Sequence, residues 1–273
     1  MITMRQSVFR VSRTLGLGAV ALNLYEKYGY LFEYETRSRN ARFIGQGAQD
    51  GLPIPPPKLI FKVTAQFDMD KFYQNGVEGA ENIKEILAKN DLDINRFESI
   101  LDFGCGCGRV LRQWKNLERS KIYGSDYNNL LVQWCQQSLK FAEVKLNGSD
   151  TRLDFEGGKF DFIYAISVFT HLTEESQLFW INELTRVLKP GGYLLITVSG
   201  TTRLDTLKPK ERKVFESGHM VIVYPQHSGK NICNTFHPEE YIREKLCKNL
   251  KMIDFVPGGA KDANQDSCLL RKS

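Results

Sequence analysis

The amino-acid sequence predicts an α/β domain, doubly wound around a mostly parallel seven-stranded sheet with helices on both faces. Three observations predict it. From residue 98 onward a short apolar strand, a polar or glycine-rich turn and a helix recur in that order. The strands are continuously apolar, as strands buried on both faces are. The first of them runs directly into "GCGCG" at 104–108, a turn that leaves room for a ligand at the carboxyl edge of such a sheet.

Taken in order, residues 1–60 form a helical and proline-rich arm, and 61–273 the main domain. Pro53, Pro55, Pro56 and Pro57 forbid a helix and favour a stiff, extended connector. In "GAENIKEILAKN", Ile83, Ile86 and Leu87 recur at helical spacing. Strands are expected at 99–104, 121–126, 143–148, 160–167 and 192–199, with helices at 107–117, 128–139 and 174–188. The last helix stops at Lys189, Pro190, Gly191 and Gly192. Residues 200–236 break the rhythm and read as an insertion containing a strand-like "HMVIVYP". A helix in "HPEEYIREKLC", with Pro238 in its first turn, and strands at "KMIDFV" and "SCLLRK" complete the set.

Composition sets limits. A chain of 273 residues, 42% hydrophobic and 25% charged, has the make-up of a globular domain with a full core. The net charge of +5 is too mild to argue for a nucleic-acid partner, and no apolar run reaches membrane-span length. Arg5, Arg10 and Arg13 precede the first acid, Glu26, but the apolar stretch after them is short and broken by Gly16 and Gly18, against a signal peptide. Val8, Val11, Leu15 and Leu22 share one helical face, so an amphipathic helix is expected to dock on its own domain, with peripheral membrane contact as the alternative. The six cysteines include no C-x-x-C pair and have no histidine at ligand spacing. That points to no metal and to a reduced, cytoplasmic chain. The oligomeric state stays open.

The glycines choose among ligands. Gly104, Gly106 and Gly108 are spaced G-x-G-x-G, not the G-x-G-x-x-G of dinucleotide sites, and no Lys-Ser/Thr pair follows as in a phosphate loop. Asp102 lies on the strand before the turn, where it can pair with a cationic amine. Asp126 ends the next strand, near the spacing that reaches ribose hydroxyls. An acid at each end suits a nucleoside carrying an amino acid better than a pyrophosphate.

Together "LDFGCGCGRV", "YGSDYN", "FDFIYAISVFTHL" and "ELTRVLKPGGYLLITV" resemble a class I S-adenosylmethionine-dependent methyltransferase over residues 98–199. The arrangement is also similar to small bacterial methyltransferases of unassigned substrate with a proline-rich segment ahead of the loop. The resemblance implies a Rossmann-like fold and S-adenosyl-L-methionine as cofactor. It implies that Gly104, Cys105 and Gly106 lie against the methionine part of the cofactor, Asp102 near its amine and Asp126 on its ribose. Tyr127 would lie against the adenine, Asn147 and Gly148 at the adenine edge, and Ile166 along the pocket. After the third strand "NGSDT" departs from the family pattern, with Ser149 where an aspartate is frequent and Asp150 one residue later. Cys105 and Cys107 read as small residues suited to a tight turn.

Methyl transfer from a sulfonium is an in-line displacement, so alignment carries most of it and a base is needed only when the acceptor must lose a proton. The fourth strand ends in "AISVF", with no "DPPY"-like run, which weighs against nucleobase amines and favours a small-molecule or glycan hydroxyl. His171 in "VFTHL" is the candidate base, with packing beside the cofactor as the alternative. His219, His227 and His237, in or beside the insertion, are expected at the surface. Tyr73 either closes over the cofactor or packs within its helix. Two other readings stand: an RNA or protein methyltransferase, suggested by the basic arm, and a non-catalytic cofactor-binding scaffold.

Overall fold

A computed structural model describes residues 18–149, 151–229 and 231–273, without the side chains of 18–23. Val8, Val11 and Leu15 of the expected amphipathic helix, the side chain of Leu22, and Asp150 lie outside the described residues. The chain divides into two compact units, 1–73 and 74–273.

In the first unit, α1 (Gly18–Phe32), α2 (Tyr34–Gln46) and α3 (Pro57–Thr64) precede the start of α4 (Met69–Lys89). The proline segment is extended only as far as Pro56. Pro57 opens α3, because its fixed φ and missing N–H suit the first position of a helix. An aromatic cluster holds the unit: Phe61 and Phe67 stack at 4.5 Å, and Tyr25 and Tyr30 pack on Phe67. Asn40 spans the unit by donating to the Phe67 carbonyl and accepting from the Met69 N–H. Tyr73 is buried and packs 6.2 Å from Phe43.

The second unit is built on β1 (Ser99–Phe103), β2 (Lys121–Asp126), β3 (Ala142–Leu146), β4 (Phe160–Ala165), β5 (Leu188–Val198), β8 (Leu250–Ala260) and β9 (Gln265–Lys272). Their order is β3-β2-β1-β4-β5-β9-β8. The first five are parallel, β9 runs antiparallel to β5 and β8 antiparallel to β9. This is the mixed seven-stranded, Rossmann-like sheet expected. The chain reverses direction after β1, so the carboxyl ends of β1 and β4 are neighbours at the topological switch point where such sheets take ligands. Helices α5 (Asn129–Ser138) and α6 (Glu174–Val187) start on side-chain caps from Asn128 and Thr173.

The expected helix at 107–117 shrinks to a single 3-10 turn, Leu111–Trp114. All three loop glycines adopt positive φ, at 78°, 57° and 82°, so the backbone is still turning where the helix was expected to begin. The bonds that follow are a mixture, Gln113 N–H to Val110 and Arg112 N–H to Gly108. Burial of Arg112 and Trp114 fixes the segment instead. The insertion contains a turn at Thr201–Thr206, α7 (Pro209–Glu216) and a hairpin of β6 (Val221–Val223) with β7 (Asn234–Phe236). It packs around its own cluster of Leu207, Phe215, Val221 and Phe236. A short helix, α8 (Glu239–Tyr241), continues into a wider turn at Ile242–Leu246.

Candidate functional site

The glycine loop is strapped to the end of β2 by backbone. The Gly104 and Cys105 N–H groups both donate to the Ser125 carbonyl, at 2.7 and 3.0 Å. The Asp126 carboxylate accepts from the Gly106 N–H at 2.9 Å and the Asn128 N–H at 2.8 Å. Asn147 joins the same end: its N–H donates to the Asp126 carbonyl, and its side-chain oxygen accepts from the Ser125 hydroxyl. Gly148 follows in a turn so tight that a Cβ there would lie 2.4 Å from the Thr151 hydroxyl.

Asp102 is buried one strand over. Tyr164 and the Leu111 N–H bond to its carboxylate, and the Trp114 indole N–H donates to the Tyr164 hydroxyl at 2.8 Å. Burial pushes the Asp102 carboxyl up to about 7, and Asp126 is also raised, again by burial. Among the described residues neither acid forms an ion pair. Two buried carboxyls with no ion pair among the described residues fit a ligand that carries a cation. Cys105 and Cys107 are buried in the turn; a hydrogen bond with the Cys135 thiol and burial raise the first, burial the second. All six thiols are free.

The turn after β4 meets this loop directly. A Cβ on Gly104 would lie 2.4 Å from Val168 Cγ2. Ile166 and Ser167 precede Val168, and Ser167 holds a φ of 57°, rare for a residue with a side chain. The Ser167 N–H donates to the Thr197 hydroxyl, and the Ser167 and Thr197 hydroxyls donate to the Gln265 side-chain amide oxygen at 3.1 and 2.6 Å. Thus the first residue of β9 sets the turn after β4. Sequence reading missed Ser167, Thr197 and Gln265, because their contacts join segments far apart in the chain.

His171 is half-buried beyond that turn. Its Nδ1 lies 2.6 Å from the Cys233 carbonyl, which can only accept, so Nδ1 carries the proton and Nε2 presents a lone pair. Burial and the positive charge of Arg203 hold the imidazole below its ordinary range, against the bond to Cys233. The Gly229 N–H donates to the His171 carbonyl at 2.7 Å, and a Cβ on Gly229 would touch the Tyr127 ring. The insertion therefore bridges Tyr127, half-exposed beyond β2, and His171, beyond β4.

His237 corrects an expectation: it is buried, not at the surface. Its Nε2–H donates to Gln177, whose amide N–H group is committed to the Phe169 and Leu172 carbonyls. Burial drives its pKa down to about 3. His219 is exposed and His227 half-buried.

Residues 101–196, from β1 to the end of β5, match the Methyltransferase domain family. Over those residues the chain is similar to methyltransferase domains. S-adenosyl-L-methionine is the cofactor expected of it, and the acid pair and open-angled glycine turn fit that molecule. A tRNA N(3)-methylcytidine methyltransferase of Schizosaccharomyces pombe is 29% identical over 194 residues, 67% of this chain and 61% of the relative. The sterol 24-C-methyltransferase of Saccharomyces cerevisiae is 28% identical over 166 residues, 57% of this chain and 39% of the relative. The chain thus spans less than two thirds of the length of either. A solved S-adenosylmethionine-dependent methyltransferase from Clostridium acetobutylicum shares the fold of the domain, with a TM-score of 0.53 at 15% identity over 78% of this chain and 96% of that one. Both relatives are fungal, so they do not carry the expected likeness to bacterial enzymes. Nor does a tRNA-modifying relative support the expectation against a nucleic-acid partner. No described helix is long and apolar enough to cross a membrane.

Proposed function

We propose that the chain transfers a methyl group from S-adenosyl-L-methionine to a hydroxyl of a small molecule or glycan, with His171 as general base. The observation that carries this is the orientation of His171: Nδ1–H is held by the Cys233 carbonyl, and the lone pair on Nε2 is left for a proton. When bound, the cofactor supplies an electrophilic methyl group on a sulfonium. Gly104, Cys105 and Gly106 hold its methionine part, Asp102 its amine and Asp126 its ribose. Tyr127, Asn147 and Gly148 border the adenine, and Ile166 lines the pocket. His171 takes the proton of the acceptor hydroxyl at Nε2, and the insertion keeps water from the acceptor.

A second reading has its own support, the tRNA-modifying relative: the acceptor is then an RNA base. RNA binding that falls steeply with salt would favour it, and salt-insensitive or absent RNA binding would favour the small acceptor. The first experiment is calorimetric titration of S-adenosylhomocysteine into the wild type and Asp126→Ala. Binding that the variant loses by about ten-fold or more supports the cofactor site, since the change removes a charge-assisted bond. No binding to the wild type would overturn the cofactor site, and binding without methyl transfer to any acceptor would favour the scaffold reading.

A further inference from the structure

The glycine turn is held at its entry by Ser125 and in its middle by Asp126, both at the end of β2. Three glycines at positive φ have no side chains with which to fix themselves, so the exit of the turn needs a partner of its own. Arg109, the first residue after Gly108, finds one outside β1 and β2. Its Nη1 donates to the Asn75 carbonyl of α4 and to the Asp262 carboxylate, both at 2.8 Å. Its backbone is gripped as well. A Cβ on Gly76 would fall 2.2 Å from the Arg109 carbonyl oxygen, so α4 lies directly against the chain there.

Asp262 stands in the tight turn 261–264 between β8 and β9, a place where acids are normally solvated. Its side chain is nevertheless 2% exposed, and that of Arg109 14%. The turn is fastened to α4 on both sides of the acid: Asn82 donates to the Gly259 carbonyl at 2.8 Å, and Lys261 pairs with Glu85. Gly79 leaves room for the carboxylate, which would lie 3.0 Å from a Cβ at that position. A buried ion pair is a weak source of stability, because desolvating both charges offsets most of their attraction. Its better-attested use is to fix one arrangement over others, and the arrangement fixed here is the exit of the glycine turn.

We propose that Arg109 and Asp262 are positioning residues for S-adenosyl-L-methionine: their pair keeps the glycine turn in the shape that receives the methionine part. The turn between β8 and β9, 153 residues along the chain, thereby sets cofactor affinity. This rests on the glycine turn being the cofactor site. The pair Lys89–Asp254 is an internal comparison. At 2.8 Å it also joins α4 to β8, but at the last residue of the helix rather than beside the glycine turn.

The test needs no acceptor. S-adenosylhomocysteine is titrated calorimetrically into the full chain and its variants, and a thermal melt is recorded for each. Arg109→Gln and Asp262→Asn should each lower the affinity by about ten-fold, the loss of a charge-assisted bond, while Arg109→Lys retains most of it. The double variant should lose no more than the worse single one, because the two residues act as a pair. Asp254→Asn should leave the affinity unchanged even where it lowers the melting temperature. Unchanged affinity in Arg109→Gln or Asp262→Asn, losses that simply add in the double variant, or an equal fall in Asp254→Asn overturns the proposal. The pair would then prop the fold and nothing more. If Arg109→Gln fails to fold, Asp262→Asn decides. The cofactor reading fails separately, by the wild type binding no S-adenosylhomocysteine.

Discussion

At the carboxyl ends of β1 and β2 the contacts are made by backbone: N–H groups of the glycine turn donate to the Ser125 carbonyl and to Asp126. At the carboxyl ends of β4 and β5 they are made by side chains: Ser167, Thr197 and Gln265 on one side, His171 on the other. Under the function proposed above, the first end reads a constant molecule, for which backbone geometry is enough, and the second fits a particular acceptor, for which only side chains vary enough.

Removing the base should separate the two ends most sharply. His171→Gln is expected to slow methyl transfer by about 10²–10⁴-fold, with S-adenosylhomocysteine affinity unchanged. Equal loss of both would show that the two ends act as one.

Acidity comes next. Burial raises Asp102 from 3.8 to about 7, so the folded chain binds that proton more tightly than the unfolded chain does. The stability it contributes is fully present below about pH 4 and is lost as pH rises through about 7, by roughly 4 kcal/mol at most. Urea midpoints across that range, compared with Asp102→Asn, should show the wild type losing this increment relative to the variant. A difference that does not change with pH would place the carboxyl in a wetter site than its burial implies.

The smallest effect tests how the two ends meet. Gly104→Ala places a Cβ at a φ of 78° and against Val168, and should cost about 2 kcal/mol or more. Gly158→Ala, at a φ of 68° but with nothing within 4 Å, carries the backbone strain alone and should cost about 1 kcal/mol. Thermal melts of both give the contribution of the contact by difference. Equal losses would mean that Val168 yields freely.

The same contrast explains what was legible beforehand. Gly106 and Asp126 are 20 residues apart, within one strand–turn–strand unit, and the glycine spacing announced them. His171 was found from its place after β4, but its partner Cys233 lies 62 residues away, and Ser167 bonds Gln265 across 98. No local pattern encodes such pairs; the first follows from the fold of the insertion, and the second from β9 entering the sheet beside β5. The buried position of His237 was hidden for the same reason, since Gln177 lies 60 residues back. The lost helix at 107–117 is the opposite case, a local propensity overruled by three glycine turns and the burial of Arg112 and Trp114.

The position of β9 also bears on how the molecule is made. As a ribosome extends the chain, β1 to β5 can pair as they emerge, but β5 keeps an open, apolar edge until some seventy residues later β9 arrives to cover it. Until then the nascent chain can hold a formed cofactor turn with no acceptor side, and an exposed strand edge that invites pairing with other chains. Synthesis therefore leaves a window in which the protein is half built and most in need of a chaperone.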